Sequence, residues 1–346
     1  HLYQISLPTS ADAERAKTAA ERALALSPGL AAGHLALGDY YLQVRADAEA
    51  ALREYRRGRA LAPNDADLLK GIGLVARMQG DWELSQASLT QARVLDPRSI
   101  AVERRLTYNL LRLRRYPDAL ASSDRARALD RHAPDVYETR AMVLLAQGDL
   151  AGARRVIGEA EREVEPTALV QWVATFYDLF WVLNDEQQQL LLRLPPGPFD
   201  DDRQSWGLAL AGTFLLRGDS ARGRAYADSA RIAGEAYVHE APENGQLHAL
   251  LGVSLAYLGR KAEAIREGRR AVELLPTSRN AYGGPYLQHQ LARIYLLVGE
   301  PERALDALEP LLRVPYILSP GWLQVDPTFD PLRANPRFRK LVEASD

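Results

Sequence analysis

Apolar positions along this chain recur at helical spacing and in pairs of segments. In the stretch 31–63, Leu35, Leu37, Tyr41 and Leu42 mark the buried face of one helix. An Ala-rich helix follows, and Pro63 closes the phrase. The phrase returns at a fixed interval: Pro28, Pro63 and Pro97 stand 35 and 34 residues apart, and the turn glycines Gly80 and Gly148 stand 68 apart, twice 34. A constant period of this length predicts tandem units of two antiparallel helices, each burying its apolar face against its neighbours. A stack of this kind grows by adding repeats, so 346 residues imply one continuous array rather than two globular domains.

The slots that recur are small. Gly38, Gly73 and Gly252 occupy one position of the first helix, and Thr107, Ala141, Ala211 and Ala292 fill it in other copies. A mid-helix glycine costs about 1 kcal/mol against alanine, so these predict close approach of the paired helix. In the second helix Ala16, Ala51, Ala119, Ala153, Ala264 and Ala304 share one slot, and Ala23, Ala92, Ala126, Ala230 and Ala271 another. Both read as helix contacts with room for a Cβ and nothing more. Between the paired helices lie QGD (79–81 and 147–149), RGD (217–219), LGR (258–260) and VGE (298–300). The glycine ends one helix in a left-handed conformation and the polar residue after it starts the next. The RGD triplet occupies the slot where every repeat turns, which makes it a turn before it is an adhesion signal.

The period breaks in two places. Residues 167–203 hold one predicted helix, 169–183, apolar on nearly every face and rich in aromatics, then the breaker PPGPFDDD. The segment TSRNAYGGPY (277–286) lengthens a loop, and loop insertions in repeat arrays cluster on one face, often the binding face. From 314 onward, four prolines between Pro320 and Pro336 predict little helix before Pro336 or Arg337. Trp322, Leu323, Phe329, Leu332 and Phe338 are placed to cover the end of the stack. The start is also irregular: aligned on Pro28 and Pro63, residues 11–27 form a second helix and 1–7 only the tail of a first, so upstream sequence is expected.

The small residue followed by Tyr or Leu, the two alanine slots and the closing proline together resemble the tetratricopeptide repeat. Copies fall near 31–63, 65–97, 99–131, 133–166, 204–240, 245–276 and 285–313. The resemblance implies an all-α, right-handed superhelical solenoid of antiparallel helix pairs with a short Pro-rich C-terminal cap. Its parts would be an N-terminal sub-array (1–166), a divergent aromatic helix and linker (167–203), a C-terminal sub-array (204–313) and the cap (314–346). More narrowly, YDLFWVLNDEQQQLLLRLPPGPFDDD, LGVSLAYLGRKAEAIREGRRAVELLP and DPTFDPLRANPRF resemble the C-terminal repeat region of large bacterial signalling proteins, receptor-type serine/threonine kinases and adenylate-cyclase-like regulators. That resemblance implies an interaction module serving an upstream domain of the same polypeptide, in the cytoplasm or tethered outside it.

Composition narrows the function by exclusion. A formal net charge of -2, with 25% charged and 47% hydrophobic residues, gives no overall pull toward nucleic acid or an anionic bilayer. The absence of cysteine removes disulfides, thiolate metal sites and cysteine nucleophiles. No apolar run approaches the roughly 20 residues that span a bilayer. The six histidines show no metal-ligand spacing, and Asp200, Asp201 and Asp202 sit just before a helix start, where they serve as caps. No phosphate loop, nucleophile elbow or dinucleotide fingerprint occurs, so no catalytic residue and no cofactor or metal is expected.

Binding remains. In chaperone-type tetratricopeptide proteins a Lys and an Asn of the first helix clamp a C-terminal carboxylate; here the Lys place holds Leu35, Lys70, Arg104 and Glu138 and the Asn place Asp39, Leu74, Tyr108 and Met142. The pair never forms. Lys70, Arg77, Arg104, Tyr108 and Arg112 nonetheless fall on the expected groove and suit a protein or peptide partner with acidic character. Two other functions are consistent with the residues: self-assembly of solenoid ends into dimers or filaments, and a small-molecule pocket walled by Trp172, Phe176 and Trp181.

Overall fold

A computed structural model of the chain describes residues 10–175 and 177–343, and within them every regular element is helical. After α1 (Ser10–Leu26) the helices come in pairs: α2 (Ala31–Gln43) with α3 (Ala48–Leu61), α4 (Ala66–Met78) with α5 (Trp82–Leu95), and α6 (Ile100–Arg112) with α7 (Tyr116–Leu129). Then come α8 (Pro134–Ala146) with α9 (Leu150–Ala160), the divergent α10 (Pro166–Thr175) and α11 (Asp185–Leu191), and α12 (Arg203–Leu216) with α13 (Ser220–Glu240). The series ends with α14 (Gly245–Tyr257) and α15 (Lys261–Leu274), α16 (Gly284–Leu297) and α17 (Pro301–Leu308), and the terminal helices α18 (Pro320–Val325) and α19 (Pro336–Glu343). The described chain is thus all-α, built of consecutive helix pairs.

The turn chemistry read from the triplets is what closes each pair. Gly80, Gly148, Gly218, Gly259 and Gly299 all have φ between 75° and 83°, a region that costs glycine nothing. Where aspartate follows, it caps the second helix: Asp81, Asp149 and Asp219 accept from the backbone N–H of Leu84, Gly152 and Arg222.

Two compact units make up the chain. The first runs to Asn109 and includes Arg279–Gly283; the second comprises Leu110–Ser278 and everything from Gly284. In the first unit the Tyr55 ring of α3 is fully buried between two glycines. A Cβ on Gly38 would fall 2.5 Å from its Cδ1 and one on Gly71 2.7 Å from its Cε1. Its hydroxyl donates to Asp39 at 2.7 Å, so the ring is held at both ends. One repeat on, Ser85 Oγ donates to the Gly73 carbonyl and accepts from Asn109 Nδ2, each at 2.7 Å, which satisfies polar groups at another close crossing. The alanine slots are closed as expected, with Ala51, Ala92, Ala119, Ala153, Ala264, Ala271 and Ala304 at 0% exposure. Ala16 and Ala23 on α1 differ: the first is exposed and the second half-buried, and the segment expected to pair with their helix lies outside the described residues.

In the second unit the divergent segment departs from the sequence expectation. The helix expected over 169–183 begins earlier, at Pro166, and stops at Thr175. Tyr177 (φ 59°) and Asp178 (φ 56°) turn the chain through left-handed conformations that no α-helix can contain, and a single 3-10 turn, Leu179–Trp181, follows. The short α11 then starts from a capping box in which Asn184 and Gln187 bond each other's backbone N–H at 2.9 Å.

The C-terminal segment contains more helix than its prolines suggested, because Pro320 and Pro336 take first-turn positions where no N–H is missed. It does cover apolar surface, with Trp322, Leu323, Phe329, Leu332 and Phe338 at 0–1% exposure. It also turns back across the second unit to the end of α8. Ser319 Oγ donates to the Ala146 carbonyl at 2.5 Å, Arg114 donates to the Leu312 carbonyl at 2.6 Å, and Gly321 lies against Gly148. A Cβ on Gly321 would stand 2.7 Å from Gly148 N and 2.8 Å from the Ala146 carbonyl, both backbone atoms that cannot move aside.

Two substitutions test these contacts. Gly38→Ala gains about 1 kcal/mol of helix propensity but meets the fixed Tyr55 ring, and overpacking of this kind costs about 1–3 kcal/mol, so a net loss in urea unfolding is expected. Gly321→Ala is expected to loosen the tail from α8, read as faster proteolysis after α17 and a red shift of the Trp322 emission.

Candidate functional site

On α2, α4 and α6 the side chains of Leu35, Lys70, Leu74, Arg77, Arg104 and Tyr108 are all half-buried. Four of the five candidate groove residues therefore share one unit. Lys70 is ion-paired with Asp67 one turn before it. The Arg77 guanidinium lies 3.8 Å from the centre of the Tyr282 ring. Tyr282 arrives on the inserted loop, a strap whose residues Arg279–Gly283 pack in this unit. Asn280 Oδ1 accepts from the N–H groups of Tyr282 (3.0 Å) and Gly283 (2.8 Å), and Ala281 N–H donates to the Met78 carbonyl at 2.8 Å, at the C-terminal end of α4.

Arg105 completes this cluster and was not among the sequence candidates. Its Nη1 donates to the Ala101 carbonyl at 3.0 Å, and its Nε is buried with no hydrogen-bond partner among the described residues. Burial, with the positive charge of Arg77 second, lowers its pKa to about 10. The sequence held a signal in the dipeptide Arg104–Arg105, but the helical register singled out only the first of the two.

The fifth candidate, Arg112, lies in the second unit and is not a groove wall: it is 1% exposed beneath the Tyr316 ring, 5.3 Å from its centre. Around it the unit's interior is filled by side chains. Arg293 pairs with Asp178 at the left-handed turn, and Gln290 Nε2 donates to the same carboxylate at 3.2 Å. Trp322 Nε1 donates to Asp326 at 3.0 Å. The aromatic pocket takes a different form from the one expected. Trp181 is 4% exposed within the core, Trp172 Nε1 donates to the buried Glu138 at 2.9 Å, and Phe176 lies outside the described residues.

The remaining candidates are structural. Asp202 caps α12 by accepting from Gln204 and Ser205 N–H, and no cluster of His, Asp or Glu suited to a metal ion occurs among the described residues. The RGD triplet lines an open cleft of about 710 Å³ between α11 and the α12–α13 turn. Its charges are engaged within the unit, Arg217 with Asp185 and Asp219 with Arg222. No described helix is long and apolar enough to cross a membrane.

A tetratricopeptide repeat family model matches residues 105–164. Among solved structures the chain is similar to Pseudomonas aeruginosa pilF (17% identity, 76% of this chain and 94% of that one, TM-score 0.38). It is also similar to YrrB, a tetratricopeptide repeat protein with an unusual peptide-binding site (14% identity, 63% and 93%, TM-score 0.39). The hetero-tetramer Cut9-Hcn1 is a third (14% identity, 82% and 46%, TM-score 0.45). No curated protein matches the sequence. At these values the likenesses concern the helical-repeat fold and carry nothing about a partner.

His289 gives the second unit a pH dependence. Its Nδ1 shares a 3.1 Å hydrogen bond with the Tyr316 hydroxyl, its ring stacks 6.1 Å from Phe329, and burial, followed by the charge of Arg293, lowers its pKa to about 3. The folded state thus holds a neutral imidazole that the unfolded chain protonates below about 6.5. Its contribution is complete above that pH and falls as pH drops toward 3, by about 2 kcal/mol between neutrality and pH 5. In His289→Gln, denaturant unfolding should show a correspondingly flatter loss of stability over that interval.

Proposed function

We infer that this chain is a non-catalytic interaction scaffold that holds a protein or peptide on the α2/α4/α6 face of its first unit. The resemblance of the chain, from about residue 10 onward, to the C-terminal repeat region of large bacterial signalling proteins supports placing it within one. One observation carries the reading. In the second unit the chain's own tail is buried against α8 and α16, whereas in the first unit Leu35, Lys70, Leu74, Arg77, Arg104 and Tyr108 stay partly exposed. That combination of apolar, aromatic and arginine surface is the composition of interaction hot spots.

Panning a random-peptide phage library on the whole chain tests this. Enriched peptides should bind saturably, compete with one another and lose about tenfold in affinity on Tyr108→Ala or Leu74→Ala. Ile232→Arg, on the outer side of α13, should leave them unaffected. Failure to enrich any saturable binder, or binders indifferent to both face substitutions, would remove the assignment.

A further inference from the structure

We propose that Asn244 is a site of spontaneous deamidation, held unreacted by the fold and converted when the start of α14 opens, and that its isoaspartate product loosens the crossing of α14 over α15. The site lies in the second unit and is independent of what the first unit holds. The other five asparagines precede aspartate, leucine, alanine or proline, and Asn244 alone precedes glycine. With no Cβ beside it, the Gly245 nitrogen is unhindered in attacking the neighbouring carboxamide. Two demands of the fold place this dipeptide here. The helix needs a cap, and Asn244 Oδ1 accepts from Gln246 N–H at 3.0 Å and Leu247 N–H at 3.4 Å. The next position needs glycine, since a Cβ there would stand 2.8 Å from the Ala271 carbonyl oxygen of α15 and 3.0 Å from Leu287 Cδ1 of α16. Asp47, Asp65, Asp81, Asp149, Asp202 and Asp219 cap other helices, and none of them precedes glycine.

The reaction needs only water and hydroxide. The Gly245 nitrogen gives up its proton to hydroxide and adds to Asn244 Cγ; the bond from Cγ to the carboxamide nitrogen breaks, ammonia leaves and a succinimide ring closes. Water then opens the ring at Cγ, giving aspartate, or at the main-chain carbonyl, giving isoaspartate. Asn244 is exposed, so water reaches it in the folded chain. Its backbone blocks the first step: with ψ at 100° the Gly245 nitrogen lies nearly opposite Cβ across the Cα–C bond, away from Cγ, and the two cap bonds hold the carboxamide over the helix end. Reaction therefore waits on local opening of the first turn. The two products differ in consequence. Aspartate keeps the capping oxygen and sets a negative charge at the N-terminus of α14, where the helix dipole favours it. Isoaspartate routes the main chain through the former side chain, which removes the cap and adds a methylene ahead of Gly245, so that the glycine no longer sits under the Ala271 carbonyl.

The test ages the whole chain in mildly alkaline buffer, folded and in denaturing guanidinium, and follows each asparagine by peptide mass spectrometry, with isoaspartate scored by isoaspartyl methyltransferase labelling. In the denatured chain Asn244 should convert ahead of the other asparagines, and in the folded chain at least about tenfold more slowly than in the denatured one. Asn244→Ser, which keeps a capping oxygen, should show no conversion at this position and unfold like the unmodified protein. Asn244→Asp should unfold at no lower denaturant concentration than the unmodified protein, whereas the isoaspartate form, separated by ion exchange, should unfold at a lower one. Conversion led by another asparagine in the denatured chain, equal rates at Asn244 with and without denaturant, or an isoaspartate form as stable as the unmodified chain would each overturn the proposal.

Discussion

The repeats depend on how closely two helices can approach. At Gly38 and Gly71 the space a Cβ would take is filled by the Tyr55 ring, and at Gly252 by Ile294 Cδ1, 2.7 Å from where a Cβ would sit. Glycine in these helices is unfavourable by local propensity, so its presence is explained by the partner packed against it. The alanine slots follow the same logic one size up. Once these distances are set, helix length, turn position and the direction of the next pair follow, because each unit contacts mainly its neighbours.

The same constraint, carried to backbone on backbone, decides where the chain ends its array. Gly321 meets Gly148 with no side chain between them, and Ser319 uses the Ala146 carbonyl that a helix end leaves unpaired. The tail is thereby part of the second unit's core, with Trp322 and Phe329 as buried as any residue in the repeats. A segment so placed does not exchange readily with a ligand, since release would expose several large apolar side chains at roughly 1.5–3 kcal/mol each. Recognition is left to surfaces that the chain does not fill itself.

The sequence made the fold legible because a 34-residue period reports local rules that repeat. The glycine turns, the aspartate caps and the small slots each depend on residues within one unit, and each appears where the period places it. Features that depend on distant residues were not legible. The break at Tyr177 and Asp178 uses left-handed conformations that neither residue advertises, held by Arg293 and Gln290 from far along the chain. Arg112 reads as a groove residue by register, and only Tyr316 makes it a buried one. Tyr282 was visible as an insertion, yet nothing local tells which surface an inserted loop will meet.

That asymmetry bears on the cations of the first unit. Several charges in this chain are paired within three or four residues, as in Arg115 with Asp118, Arg231 with Asp228 and Glu235, and Arg260 with Glu263. Pairs of that kind are cheap to form and are worth at most about 1 kcal/mol. Arg77 and Arg105 sit close enough for the charge of the first to lower the pKa of the second, and a strap from elsewhere in the sequence brings the Tyr282 ring onto Arg77. A local conflict of this sort is unfavourable for folding, and folded proteins concentrate such conflicts at functional positions.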